Sequence, residues 1–326
     1  MNRSPKLSVL VAAAVGLLAS GAASAAKWDM PLAYPASNFH SENAAAFAAC
    51  VGKSTGGKLE IATHPGGALF KGNEIKRAVQ TGQAQIGERL LSAHQNENAL
   101  FGIDSQPFLA TSFEEAEKLW SLALPAMKKL LDSQNLVYLY SVAWPPQGLY
   151  AKKAIDSVDD LKGIKFRAYN ATTAKMAELT GMIPTQVEAA EVTQAFATGV
   201  VDSMITSGAT GYDSKIWEHV SHFYEVDAWL PRNTIMANKA AWNGLDDATR
   251  KAVSDCAATA AKDGYAKAKA FTDMTLEGLR KGGMTVAPPS ARLKAGLQEV
   301  GKQITDEWLK GAGPDAKAVI DKFRGN

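Results

Sequence analysis

From Asp246 or Asp247, each a good helix N-cap, to Lys281 the chain contains no proline. It holds only two interior glycines, Gly264 and Gly278, before the Gly282-Gly283 pair. If continuous, this run makes one helix of some 35 residues, on the order of 50 Å long at about 1.5 Å per residue. A helix of that length exceeds the width of one small domain. It must therefore lie across two of them as a brace, unless Gly264 or Gly278 breaks it.

The other end of the chain sets the compartment. Met1 to Lys6 carries Arg3 and Lys6 and no acid, Leu7 to Ala19 is almost wholly apolar, and small residues follow to Ala23-Ser24-Ala25-Ala26. This is the pattern of a secretory leader, over residues 1–26, with cleavage expected near Ala25 or Ala26. The apolar run is shorter than the roughly 20 residues of a membrane-spanning helix. No cysteine stands at the cleavage point, so a lipid anchor is not expected. No later stretch reads as a membrane span, and stable membrane insertion is not expected either.

The chain has 35 Lys and Arg against 33 Asp and Glu, and loss of Arg3 and Lys6 with the leader brings the two counts level. A balanced charge without basic runs argues against nucleic acid as a partner. Two cysteines, Cys50 and Cys256, are compatible with a disulfide in an oxidising compartment, or with two separate buried thiols. Sequence alone does not choose between these, but it excludes a CxxC redox or zinc motif.

Between the ends, strand and helix patterns alternate. Strands are expected at Lys27–Leu32, Lys58–Thr63, Gln85–Gly87, Leu136–Trp144, Ile164–Ala168, Ile183–Gln186 and Ser203–Thr206. Helices are expected at Glu42–Lys53, Asn73–Gln80, Thr172–Leu179 and Glu191–Thr198, several of them ended by glycine. This order suggests an α/β protein with a mostly parallel sheet and crossover helices. No low-complexity linker separates the parts, which suggests two interwoven domains. The expected division is 27–150 for the first, 151–240 for the second, and 241–326 for a helical C-terminal segment that completes the first.

Several segments then resemble one family. Asp160-Leu161-Lys162-Gly163-Ile164-Lys165-Phe166-Arg167 is similar to the DLKG-x-K-x-R segment of the substrate-binding proteins of tripartite ATP-independent periplasmic (TRAP) transporters, the DctP family. Gly67-Ala68-Leu69, Ala78-Val79-Gln80-Thr81-Gly82, Gln106-Pro107-Phe108-Leu109 and Thr198-Gly199-Val200-Val201-Asp202 match in order and spacing. The resemblance implies a type II-like, two-domain periplasmic binding protein with mixed sheets flanked by helices. It implies capture of a small organic carboxylate, closure of the domains, and delivery to membrane subunits, with the protein a monomer. It also implies that Arg167 grips the carboxylate. The family's QENP continuation is absent: Thr206 occupies roughly the place of its asparagine, which argues against a polyhydroxylated sugar acid.

The residues themselves support such a site. Arg167 lies near the carboxyl end of its strand, where open α/β sheets bind ligands, and its planar fork fits a carboxylate. Glu88 and Arg89, expected to pair with each other in a loop, and Gln147, Tyr150, Asn170, Thr206 and Ser207 are placed around the cleft. So are the aromatic residues Phe39, Trp144, Tyr212 and Trp229, with Tyr169 and Trp217 near them. His40 is placed at the cleft wall or as a cap of the first helix. The aromatic content points to a flat or partly apolar acid, aromatic or hydrophobic, or a 2-oxo or 2-hydroxy acid. No GxSxG, GxGxxG or P-loop motif occurs and the histidines are scattered, so no enzyme activity, cofactor or transition metal is expected. A cation bridging the ligand carboxylate stays open.

Overall fold

The computed structural model describes residues 25–325. All but the last two residues of the expected leader lie outside them. The order of elements is β1 (Ala26–Pro31), α1 (Phe39–Ser54), β2 (Leu59–His64), α2 (Gly72–Gln80), β3 (Ile86–Leu90), α3 (Phe113–Ser133) and β4 (Leu136–Ala143). Then come β5 (Gln147–Ala151), β6 (Lys165–Ala168), α4 (Ala171–Leu179), β7 (Ile183–Gln186), α5 (Val192–Ala197), β8 (Ser203–Ser207), α6 (Gly208–Asp213) and β9 (His222–Tyr224). The chain ends with β10 (Arg232–Asn238), α7 (Lys239–Asn243), α8 (Asp247–Lys281), β11 (Thr285–Ala287), α9 (Ala291–Gly311) and α10 (Pro314–Arg324).

The expected strands and helices are present, with ends shifted by a few residues, but the sheets are not mostly parallel. One half is built on β3–β10–β4, in which β10 runs antiparallel to both neighbours, with the parallel pair β1–β2 beside it. The other is a six-stranded mixed sheet, β11–β9–β5–β8–β6–β7, where β5 is antiparallel to β8 and β9. The departure comes from β10. Its residues fall within 151–240, the stretch assigned from sequence to the second domain, yet they form the central strand of the first sheet. Likewise β5 belongs to the second sheet although most of it precedes residue 151. β11, inside the supposedly helical C-terminal segment, adds an edge strand to that same sheet. The chain thus passes between halves at residues 144–146, again at 225–231, and once more along α8.

The brace is one unbroken helix of 35 residues, capped by Asp246, whose carboxylate accepts from Thr249 N at 2.7 Å. Its glycines serve packing rather than interruption. At Gly264 a Cβ would fall 2.4 Å from Val142 of β4, and at Gly278 it would fall 2.4 Å from the Tyr212 ring of α6. The first half of α8 therefore presses on α1 and β4 and the second half on α6, which ties both sheets to one rod. Asn43 of α1 donates to the Ala260 carbonyl at 2.9 Å. Cys50 of α1 and Cys256 of α8 form a disulfide, which settles the alternative left open above. One large apolar core runs from the first half into the second, where it takes in Leu149, Phe166 and Ile205, and a smaller core lies within the second half. Phe47, Leu59, Tyr140 and Met236 belong to the first, and Tyr150, Phe196, Met204 and Phe223 to the second.

Candidate functional site

The two sheets face each other across a cleft that is shut in this structure. Polar contacts bridge it from several sides: Asn38 Nδ2 donates to Asp213 Oδ2 at 2.6 Å, Asn170 Nδ2 to Ser92 Oγ at 3.1 Å, and the Gln95 amide meets Thr172 Oγ1 at 3.2 Å. Among them lies a pocket lined from both halves. Arg89, Arg167, Glu188, Gln147, Thr206 and Thr210 supply its polar groups, and Tyr34, Trp144 and Tyr169 its aromatic ones.

Arg167 lines this pocket from β6. Strand alternation puts Arg167 on the face of β6 opposite Phe166, which is fully buried in the core. The guanidinium is only 4 % exposed, its Nε donates to the Val187 carbonyl at 3.0 Å, and its carbon lies 4.8 Å from the centre of the Tyr169 ring. Among the described residues no carboxylate lies within ion-pair distance of it. Burial pulls its pKa below the ordinary arginine value, with Tyr169, Tyr34 and Glu188 acting in the opposite sense. A buried cation without a counter-ion is costly unless an anion joins it.

The other walls are held from behind. Trp229 Nε1 donates to Tyr169 Oη at 3.1 Å, and Tyr169 Oη donates in turn to Gln147 Oε1 at 3.1 Å, while Gln147 Nε2 donates to the Pro145 carbonyl at 2.9 Å. Trp144 Nε1 donates to Asn233 Oδ1 at 2.8 Å, and Asn233 Nδ2 to Glu88 Oε1 at 3.0 Å. The Trp144 ring packs on His40 at 4.3 Å, on Tyr34 at 4.9 Å and on Phe39 at 5.3 Å. Thr206 Oγ1 lies 3.2 Å from Thr210 Oγ1. Each wall is therefore held by hydrogen bonds and ring packing within the protein.

Of the residues expected from sequence, the structure gathers Arg89, Trp144, Gln147, Arg167 and Thr206 around this cavity. Glu88, His40, Phe39 and Trp229 lie one layer behind it. Asn170 caps α4 by accepting from Thr173 N at 2.8 Å and bridges the cleft to Ser92. Tyr150 and Ser207 point the other way, Tyr150 donating to the Ser207 carbonyl at 2.9 Å within the second core. Tyr212 lies against α8. The expected Glu88–Arg89 pair does not form, because adjacent residues of a strand face opposite ways. Glu88 turns to Asn233 and His40, and Arg89 to Glu188. Nor does His40 cap α1; Asn38 does, accepting from His40 N at 2.9 Å. The residues missed are Tyr34, Glu188 and Thr210, which reach the cavity from loops and from the start of α6. Tyr169, expected near the cleft, also lines the cavity, two residues beyond Arg167 on the same face.

Among the described residues no helix is long and apolar enough to cross a membrane, and no group of three His, Cys, Asp or Glu is placed to hold a metal. Residues 33–311 match the profile of DctP, bacterial extracellular solute-binding protein family 7. Solved structures agree closely. A marine metagenome TRAP solute-binding protein specific for pyroglutamate, from an unidentified microbe, is 50% identical with a TM-score of 0.91, over 93% of this chain and 99% of that one. DctP6 of Bordetella pertussis, a receptor binding pyroglutamic acid, is 48% identical with a TM-score of 0.90, over 92% and 100%. DctP7 of the same organism, also binding pyroglutamic acid, is 44% identical with a TM-score of 0.91, again over 92% and 100%. The chain belongs to bacterial extracellular solute-binding protein family 7, DctP, the solute-binding proteins of TRAP transporters.

Proposed function

We propose that this chain is the periplasmic receptor of a TRAP transporter for pyroglutamate or a near relative, a five-membered lactam bearing one carboxylate. The observation that carries the reading is Arg167, buried in this pocket with no carboxylate of the described residues within ion-pair distance. The carboxylate of the ligand supplies the missing charge, bound through two parallel hydrogen bonds. Glu188 accepts the lactam N–H, since a carboxylate engaged with an arginine still has free lone pairs. Thr206, Thr210 or Gln147 donates to the lactam carbonyl, and Trp144 and Tyr34 cover the ring. The aromatic or 2-oxo acid expected from sequence shares the carboxylate but offers no N–H to Glu188. That is why the lactam comes first, together with the pyroglutamate bound by relatives 44–50% identical.

In this reading the protein is exported by its leader, works as a monomer of two closing domains, and binds its cargo without altering it. Titration calorimetry of the mature chain tests the ligand directly. Pyroglutamate is expected to bind, whereas its amide, which lacks the charge, and proline, which lacks the lactam carbonyl, bind far more weakly. Arg167→Ala leaves the ligand carboxylate unpaired in the cavity. At about 3–5 kcal/mol for such a loss, affinity falls by about two to four decades. No heat with pyroglutamate alongside clear binding of an aromatic or 2-oxo acid would return the assignment to the acid class inferred from sequence.

A further inference from the structure

The cavity contains a second arginine that the ligand does not need. Arg89, on β3 and 4 % exposed, meets Glu188 through both arms, Nη1 to Oε2 at 3.0 Å and Nη2 to Oε1 at 3.2 Å. Glu188 comes from the segment after β7 in the opposite half. The pair therefore exists only when the cleft is shut.

The receiving side of this contact is built in detail. Arg89 Nε donates to His94 Nε2 at 3.4 Å, which leaves both terminal nitrogens free for Glu188. His94 is held in that role from its far side, its Nδ1 lying 2.8 Å from Glu97 Oε1, and Glu97 Oε2 receives Lys76 Nζ at 2.6 Å. This arrangement calls for the neutral His94 tautomer with the proton on Nδ1, and burial pushes the His94 pKa down to about 4, with Arg89 acting in the same direction. Gly72 completes the socket. It is the first residue of α2, and a Cβ there would lie 2.4 Å from Glu188 Oε2 and 2.8 Å from Arg89 Nη1. Its φ is not in the left-handed region, so the backbone has no need of glycine. What requires glycine is the room occupied by the carboxylate from the other half. The amino end of α2 also favours a negative charge at that point.

We propose that Gly72, Arg89 and His94 form a socket into which Glu188 plugs on closure, a latch that holds the shut state by a contact between the two halves themselves. In it His94 is a positioning residue: it aims Arg89 and touches neither Glu188 nor the cavity. Ligand affinity then depends on Gly72 and His94 as well, neither of which lines the cavity.

The test uses the mature chain with pyroglutamate as probe and rests on the ligand reading for that probe. Because that reading also gives Glu188 the lactam N–H, the same comparison is made with the corresponding lactone acid, which has no N–H. Only a loss shared by both probes supports the latch. Gly72→Ala forces the ends of Glu188 and Arg89 apart while leaving Arg167 and the threonines in place. It is expected to weaken binding by about 10- to 100-fold, the worth of a charge-assisted contact. The loss should appear as faster release, with the melting temperature of the ligand-free protein unchanged. His94→Leu is expected to weaken binding in the same direction, and His94→Gln, whose carbonyl can still accept from Arg89 Nε, to restore most of it. A purely structural role for His94 would not show that rescue. Wild-type affinity in both Gly72→Ala and His94→Leu would overturn the latch. If the wild type takes up no pyroglutamate, the ligand reading fails on its own, and small-angle scattering of ligand-free protein decides the latch. A more compact wild type than Gly72→Ala supports it, and identical curves overturn it.

Discussion

Glu88 is fully buried on β3. Its Oε1 accepts from Asn233 Nδ2 at 3.0 Å and faces His40 Nδ1 at 3.4 Å, while Oε2 has no partner. Tyr140 and Tyr34 are the other titratable groups near it, and Arg89 points away toward Glu188. Burial pushes the Glu88 carboxyl up to about 7, against the weaker pull of Asn233 and Arg89. The unfolded chain ionises this group near 4.5, while the folded one keeps its proton to about 7. Stability from this group is thus full below about 4.5, declines as pH rises to about 7, and is flat beyond. At about 1.4 kcal/mol per pH unit the interval is worth roughly 3 kcal/mol. Glu88→Gln keeps the shape and the acceptor for Asn233 but removes the titration. Urea unfolding of both proteins from pH 4 to 8 measures the effect as a difference. His40 and His94, whose pKa values burial lowers and whose contributions slope the opposite way, are present in both proteins and cancel. The variant is expected to gain on the wild type by about 3 kcal/mol between pH 4.5 and 7. Parallel curves would refute the claim that a protonated Glu88 underlies the Asn233–Trp144 wall.

Two further outcomes follow from α8. The Cys50–Cys256 bridge spans 206 residues, so in the chain-entropy account its loss costs about 5 kcal/mol, and about 2–5 kcal/mol in most measured cases. Replacing both cysteines by serine is expected to lower the unfolding free energy in urea by that amount, and a change below about 1 kcal/mol would show the bridge to be structurally idle. Gly264→Val drives a side chain into Val142 and the Asn43 amide, so it is expected to destabilise by about 1–3 kcal/mol in thermal melts despite valine's better helix propensity.

What could be read in advance divides along a physical line. The brace was legible because a proline-free run with caps at both ends is a local property, and its length alone demanded two halves. Arg167 was legible because a segment resemblance and a strand-end position coincide on it. β10 was not, because a strand's sheet is chosen by partners remote in sequence: Ile235 pairs with Glu88 on one side and Tyr140 on the other. The same limit hid Glu188, whose Arg89 partner is 99 residues away.

Part of the site follows strand alternation, but only once the strands are known: Glu88 and Arg89, and Gln147 and Tyr150, are expected in loops, whereas β3 and β5 run through them. Three candidate pairs each set two neighbours of one strand into the same cleft, or two positions an odd number apart: Glu88 with Arg89, Gln147 with Tyr150, and Thr206 with Ser207. A two-residue period forbids both members of such a pair from facing one way. In each case one member lines the cavity and the other is packed behind or away from it. Arg167 then selects Tyr169 on the same face by the same rule. Given β3, β5 and β8, alternation would have separated the members of each pair and kept Tyr169, already expected near the cleft, on the face of Arg167. It would still have left the loops silent, and the latch is built there: Glu188 follows β7, and His94 sits in the 3-10 turn after β3. Arg167 and Gln147 lie on strands, where periodicity can point to them once the strands are known, whereas the Arg89–Glu188 contact joins residues that only the folded chain brings together.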